Sequence, residues 1–246
     1  MEGIFNFLIE YGVKYSDIII LQKLFLILLL IPIVATIIGI ARYVIGLRSI
    51  NFYTPLFATF VFFDISNNSG LQTNFITGLK YGLLFFICIF ATSTLFYKLL
   101  KRIRMHYIPK LSLIITATSI TMMIVITLMV LLERTLPLSF APFLFIALIV
   151  SSEGFMGVYA KKNFNYTVSI AFETLIITVI SYAVISLTAL QQFVLSNPWA
   201  ILLLIVINLY VGRFLGLRLT EYWRFRTILL NKDNLVDEQT KPNTKK

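Results

Sequence analysis

Residues 18–40 read IIILQKLFLILLLIPIVATIIGI, an almost unbroken apolar stretch whose one charge is Lys23. At about 1.5 Å of rise per residue, a helix of this length covers the roughly 30 Å hydrocarbon core of a bilayer. It is too long for the apolar core of a signal peptide. The residues before it carry Glu2 and Glu10 and no small-residue cleavage pattern, so it reads as a retained membrane span.

The rest of the chain agrees. Hydrophobic residues make up 59% of the sequence and charged residues 13%, with a mean hydropathy of +0.89. A soluble domain is nearer 45–50% apolar and about 25% charged. Further spans are predicted at residues 75–97, 111–132, 168–190 and 198–214. Two shorter apolar runs, 52–63 and 140–150, reach only about 17 Å as helices and read as half-helices, or as spans completed by polar flanks. The fold class is therefore an all-α integral membrane protein of about seven transmembrane helices, two of them short.

Charge sets the orientation. The net charge is +10, and the basic residues sit in short connections between apolar runs, which points to membrane orientation and away from nucleic acid. Residues 98–110 hold five Lys or Arg, residues 42–51 and 154–166 two each, and residues 213–246 eight; these are 17 of the chain's 21. Seven passes place all four segments on one side. The positive-inside rule then predicts a C-terminus in the cytoplasm and an N-terminus outside. The predicted divisions are an extracytoplasmic segment (1–17), a transmembrane domain (18–216), a cytoplasmic amphipathic helix (217–230) and a disordered tail (231–246).

A weak repeat runs through the spans. Leu24 and Leu111 open the cores of the first and fourth, 87 residues apart, and Pro55 and Pro142 repeat that interval. Each proline begins a short run that ends near a carboxylate, Asp64 or Glu153. Three passes repeated in tandem must invert, so the pattern is a candidate 3+3 inverted repeat with a seventh helix added. Coincidence within an apolar, low-complexity sequence explains the same spacing.

Ionisable groups at membrane depth cost about 2.5–3.5 kcal/mol at a helix centre and mark functional candidates. Asp64, Glu153 and Glu173 form a candidate intramembrane polar site, either lining a polar cavity or lying solvated or paired at the interface. Lys161 or Lys162 is the expected partner of Glu173. Ser112, Thr116 and Ser119 share one face of the fourth span and read as a helix-packing stripe. One cysteine, Cys88, excludes an internal disulfide, and one histidine, His106, excludes a multi-histidine metal site. No triad order, phosphate loop or metal motif occurs, so no catalytic, metal or cofactor site is expected.

The most distinctive stretch follows the seventh span. Glu221 lies three residues from both Arg218 and Arg224, so the three share a helix face and form a candidate docking or structural network with Arg213 and Arg226. A membrane-surface anchor explains the arginines with Tyr222 and Trp223, but gives Glu221 no purpose.

From Gly212 to Phe225 the chain reads GRFLGLRLTEYWRF. This resembles the end of the last span in a bacterial family of seven-helix membrane domains usually fused to an inactive transglutaminase-like domain. The family pattern is Gly-Arg-x-x-Gly-x-Arg-Leu-Thr-Glu-x-x-Arg-Phe. Tyr107-Ile108-Pro109-Lys110-Leu111 resembles its Val-Pro-Arg-Leu span opening. Residues 139–153 resemble its Phe-Pro segment ending in Glu-Arg, although Gly154 replaces the arginine and the proline is displaced. The resemblance covers most of residues 42–226. It implies an outside N-terminus, and, with only residues 1–17 before the first span, a transglutaminase-like partner acting in trans. It also implies a cytosolic ATP-grasp peptide ligase and an extracytoplasmic protease as associates. The expected function is a non-enzymatic membrane component in making, exporting or trimming a peptide or surface polymer. The alternative is a secondary transporter of a small anionic or peptide solute.

Overall fold

The computed structural model describes residues 15–67, 75–103, 106–131, 141–197 and 199–213. Its regular elements are helical: α1 (Tyr15–Ile40), extended by a π-helical turn (Ala41–Ile45), α2 (Tyr53–Asn67), α3 (Phe75–Leu100), α4 (Tyr107–Leu131), α5 (Ala141–Lys161), α6 (Phe164–Ile185), α7 (Thr188–Ser196) and α8 (Ala200–Gly212). Prolines fall where a helix tolerates them. Pro55, Pro109 and Pro142 sit in the first turns of α2, α4 and α5, where their missing N–H has no intrahelical partner to lose. Pro32 lies inside α1, and its own carbonyl accepts the Thr36 hydroxyl at 2.7 Å.

Lipid is the solvent for the outer surface. Leu113, Ile120, Met123, Ile124 and Leu128 of α4, and Leu202, Leu203, Ile205, Val206 and Leu209 of α8, are all exposed. Water would not tolerate apolar surface on this scale. Among the described residues, four helices are long and apolar enough to cross a membrane: Leu24–Ile45, Phe75–Leu100, Tyr107–Leu131 and Phe164–Ile185. The pair α7 and α8, at 107° to one another, makes a fifth span if counted together. The protein is a multi-pass membrane protein.

At 15 residues, α2 is about 22 Å long, too short to span alone, and it lies inside the bundle. It packs against α1, α3, α5 and α6, and most of its residues from Thr54 to Ser66 are buried. Two glycines of α3 admit it. A side chain at Gly82 would run into the Phe62 ring, and one at Gly78 would strike the Phe62 carbonyl and the Ser66 Cβ. The same corner is closed by Tyr182 of α6. Its ring stacks on Phe75 at 4.9 Å, meets Phe62 edge-on at 5.8 Å, and its hydroxyl donates to the Phe75 carbonyl at 3.0 Å. α8 leans on α1, where the Asn208 amide donates to the Thr36 hydroxyl at 2.9 Å.

The packing gives the repeat a structural form. Exchanging α1, α2 and α3 with α4, α5 and α6 maps the principal contacts onto one another. α1–α2 becomes α4–α5, α2–α3 becomes α5–α6, α1–α6 becomes α3–α4, and α2–α6 becomes α3–α5, while α2–α5 and α3–α6 map onto themselves. A chance pattern of prolines would not impose this on six helices. This is the pattern of contacts that a 3+3 repeat would have. α7 and α8 stand outside it and pack on α1.

Of the readings of the second short run, the one completed by its polar flank agrees with the structure: α5 continues to Lys161 and has 21 residues. Ser151, Ser152 and Gly154 read as the end of an apolar run, but all three are buried between helices, where small size counts more than hydropathy. Two other expectations change. Residues 191–197, the gap between the predicted spans 168–190 and 198–214, lie mostly in α7. The stripe Ser112, Thr116 and Ser119 is exposed; the Thr116 and Ser119 hydroxyls donate to their own helix, to the Ser112 and Ile115 carbonyls. Packing belongs to Thr118, which is fully buried and 3.3 Å from the Ser152 hydroxyl of α5.

Candidate functional site

The ends of α1, α3 and α5 and the starts of α2, α4 and α6 meet at one end of the bundle, which carries Arg48, Lys98, Lys101, Arg102, Lys110, Lys161 and Lys162. Sequence fixes how the chain turns there. After the π-helical turn, Gly46 takes the left-handed conformation at φ 88°, and the N–H groups of Gly46 and Leu47 both reach the Ala41 carbonyl at 3.0 Å. Glycine adopts that φ without the penalty a Cβ would bring.

The segment that follows is pinned to α6. The Arg48 N–H donates to the Glu173 carboxylate at 2.5 Å, and the Ile50 N–H to the Thr174 hydroxyl at 3.2 Å. Thr174 and Thr178 also donate to the Ile170 and Thr174 carbonyls, so α6 presents a row of oriented hydroxyls to α2. Glu173 thus has a backbone donor from 125 residues away in place of the lysines expected from sequence. Two nearby cations share an aromatic neighbour: the Arg48 guanidinium carbon is 5.8 Å from the Tyr166 ring centre and the Lys162 ammonium 5.6 Å. Lys110 lies 5.5 Å from the Tyr97 ring, and Tyr97, Tyr159 and Phe164 follow one another edge-on. Such cation–ring contacts contribute about 0.5–1 kcal/mol each at exposed sites.

Within this end lies a cleft of about 380 Å³. α5 forms one wall, where Glu153, Gly157 and Lys161 follow at four-residue intervals on one helix face, with Lys162 beside them. The N–H of Lys162 still bonds the Val158 carbonyl at 3.0 Å, continuing the helical turn. Opposite stand Ser49, Ile50 and Asn51, and Tyr107, Tyr166 and Ile170 complete the lining. Gly154 lets the loop come this close: a Cβ there would lie 2.6 Å from the Ile50 Cγ2 and 3.1 Å from the Asn51 Nδ2. At Gly157 a Cβ would meet nothing within 4 Å, because the cleft is there. The Ser49 hydroxyl is buried and has no hydrogen-bond partner among the described residues.

The three carboxylates do not form one site. Glu153 is exposed in the cleft, and Glu173 holds the neighbouring loop without lining it. Asp64 is half-buried near the far end of α2, beside the corner closed by Tyr182. Of the C-terminal network, Arg213 is exposed at the end of α8, while Arg218, Glu221, Arg224 and Arg226, with the helix 217–230 and the tail, lie outside the described residues. Sequence reasoning missed Ser49, Asn51, Thr174 and Tyr166. Only Gly154, beside a carboxylate, signals a close approach on α5.

No curated protein and no solved structure matches the chain. One family model does, over residues 6–229, and its description is seven transmembrane helices usually fused to an inactive transglutaminase. That span takes in the eight helices of the described residues and the motif at 212–225, so the chain belongs to this family of seven-helix membrane domains.

Proposed function

We propose that the protein is a non-catalytic membrane component of a system that makes, exports or trims a peptide or surface polymer. In this reading it lies in a bacterial inner membrane with its basic end in the cytoplasm. There it holds a cytosolic ATP-grasp-type ligase, and on the opposite side it meets a transglutaminase-like or protease partner. The observation that carries the reading is the basic end itself: cations from three connections are fixed around Tyr97 and Tyr166, and the Arg48 loop is tied to α6. An ordered basic and aromatic surface suits an acidic protein partner better than lipid alone, which demands charge without fixed geometry.

Two measurements test it. The first concerns orientation: with Cys88 replaced by Ser, single cysteines at Ser69 and Tyr107 are exposed in intact cells to an impermeant thiol reagent. Ser69 is expected to label and Tyr107 to stay protected; the reverse would turn the protein over. The second concerns docking. Arg218→Lys and Glu221→Gln are expected to reduce partner co-purification several-fold at matched membrane levels, because lysine and glutamine cannot reproduce the bidentate geometry that a docking network of these residues would require. Lys245→Gln and Lys246→Gln should change nothing. Wild-type co-purification in the first two variants would return the motif to a plain lipid anchor.

A second reading, a secondary transporter of a small anionic or peptide solute, is favoured by the exchange pattern of the six helices, the architecture of many transporters. Uptake by the lone protein in liposomes separates it from the first.

A further inference from the structure

We infer that the cleft on α5 is a binding site for a small anionic zwitterion of the acidic amino acid class. The inference names the ligand class of a site that the second reading leaves open, and it needs no partner protein.

The charges are arranged for a guest. Glu153 and Lys161 are eight residues apart on one helix face, about 12 Å along the axis. They share a cleft without meeting, and among the described residues Glu153 makes no ion pair. Lys162 adds a second ammonium at the same end of the cleft. Two ammonium groups beyond one carboxylate complement a ligand with one ammonium and two carboxylates. Gly157 lies midway between the opposite charges and leaves the space open. The volume, about 380 Å³, is at the small end of ligand sites, and the wall opposite supplies uncharged donors and acceptors in Ser49 and Asn51. Ser49 matters here because its hydroxyl has no protein partner among the described residues.

The polarity fixes the pose. Glu153 is two turns deeper along α5 than Lys161, so the ligand's ammonium enters first and its carboxylates stay near the mouth. Glu153 is then the group that separates an amino acid from a simple dicarboxylate. The lysines hold both.

The test uses the full chain in nanodiscs of phosphatidylglycerol, a lipid without an ammonium group, with radiolabelled L-glutamate and glutarate as probes. Wild type is expected to bind L-glutamate saturably and about tenfold or more tighter than glutarate. Glu153→Gln should erase that preference, a change a merely structural role would not produce. Lys161→Gln and Lys162→Gln should each weaken both ligands about tenfold. Gly157→Leu fills the cleft without a clash at its Cβ and should abolish binding while the protein stays monodisperse. Absence of saturable glutamate binding in wild type, undiminished binding in Gly157→Leu, or an intact preference in Glu153→Gln would each overturn the inference. Retention of dihexanoyl-phosphatidylserine without glutamate would also overturn it, since those groups would then hold a lipid headgroup. Partner co-purification is a separate measurement, so its failure leaves this result standing.

Discussion

Replacing Gly78 with alanine is expected to destabilise the protein by about 2–3 kcal/mol, the upper part of the range for overpacking a well-filled core. In an open helix position the same change would help, since glycine costs about 1 kcal/mol relative to alanine. Here the added carbon would lie 2.7 Å from both the Phe62 carbonyl oxygen and the Ser66 Cβ, and it would collide with the Tyr182 hydroxyl. A carbonyl and a first side-chain carbon cannot swing aside, so α2 and α3 would have to separate. Gly82→Ala would drive into the Phe62 ring, which is itself buried and held against Tyr182, and should destabilise the protein as well. Gly157→Ala and Gly212→Ala meet nothing and serve as controls. Monodispersity after heating in mild detergent measures the series. A Gly78→Ala protein as heat-resistant as wild type would contradict the packing described for α2.

The second large effect is expected at Glu173. Glu173→Leu removes the acceptor for the Arg48 N–H, and a hydrogen bond to a charged group contributes about 1.5–3 kcal/mol. Glu173→Gln keeps an acceptor oxygen and should retain a good part of that. Thr174→Val, which deprives the Ile50 N–H of its partner, should cost about 1 kcal/mol. Hydrogen exchange over residues 46–52 is the sharper readout, because the loop should lose protection in Glu173→Leu before the helices do. Equal losses in the Gln and Leu variants would mean that the carboxylate acts through its charge on the nearby cations.

Much of the fold was legible because lipid simplifies reading: a helix in hydrocarbon must close its own hydrogen bonds, so apolar length nearly determines where spans fall. The sites of α1, α3, α4 and α6 were read that way, and prolines marked the openings of α2, α4 and α5. The errors share a cause. Hydropathy describes a residue against an average solvent, whereas Ser151, Ser152 and Gly154 face protein, where small size permits close helices. Thr116 and Ser119 erred in the other direction, since a hydroxyl that donates to its own helix can face lipid. Glu173 was the hardest case. Its partner is a backbone N–H 125 residues away, and no local pattern records such a pairing. Glu153 was singled out by depth and charge, but the cleft around it depends on Ser49, Asn51 and Tyr166, which only the tertiary fold brings to α5.

The enclosure of α2 has a consequence for how the chain is made. The Thr59 hydroxyl reaches the Thr178 carbonyl at 3.5 Å, across 119 residues of sequence. At roughly 5–20 residues per second, the ribosome takes about 6–24 s to supply α6 after α2 has emerged. For most of that interval a 15-residue segment too short to span the bilayer by itself has only α1 and α3 beside it. Insertion in simple order of synthesis would leave it stranded, so α2 has to wait at the bilayer surface or beside the translocon until α5 and α6 arrive to enclose it.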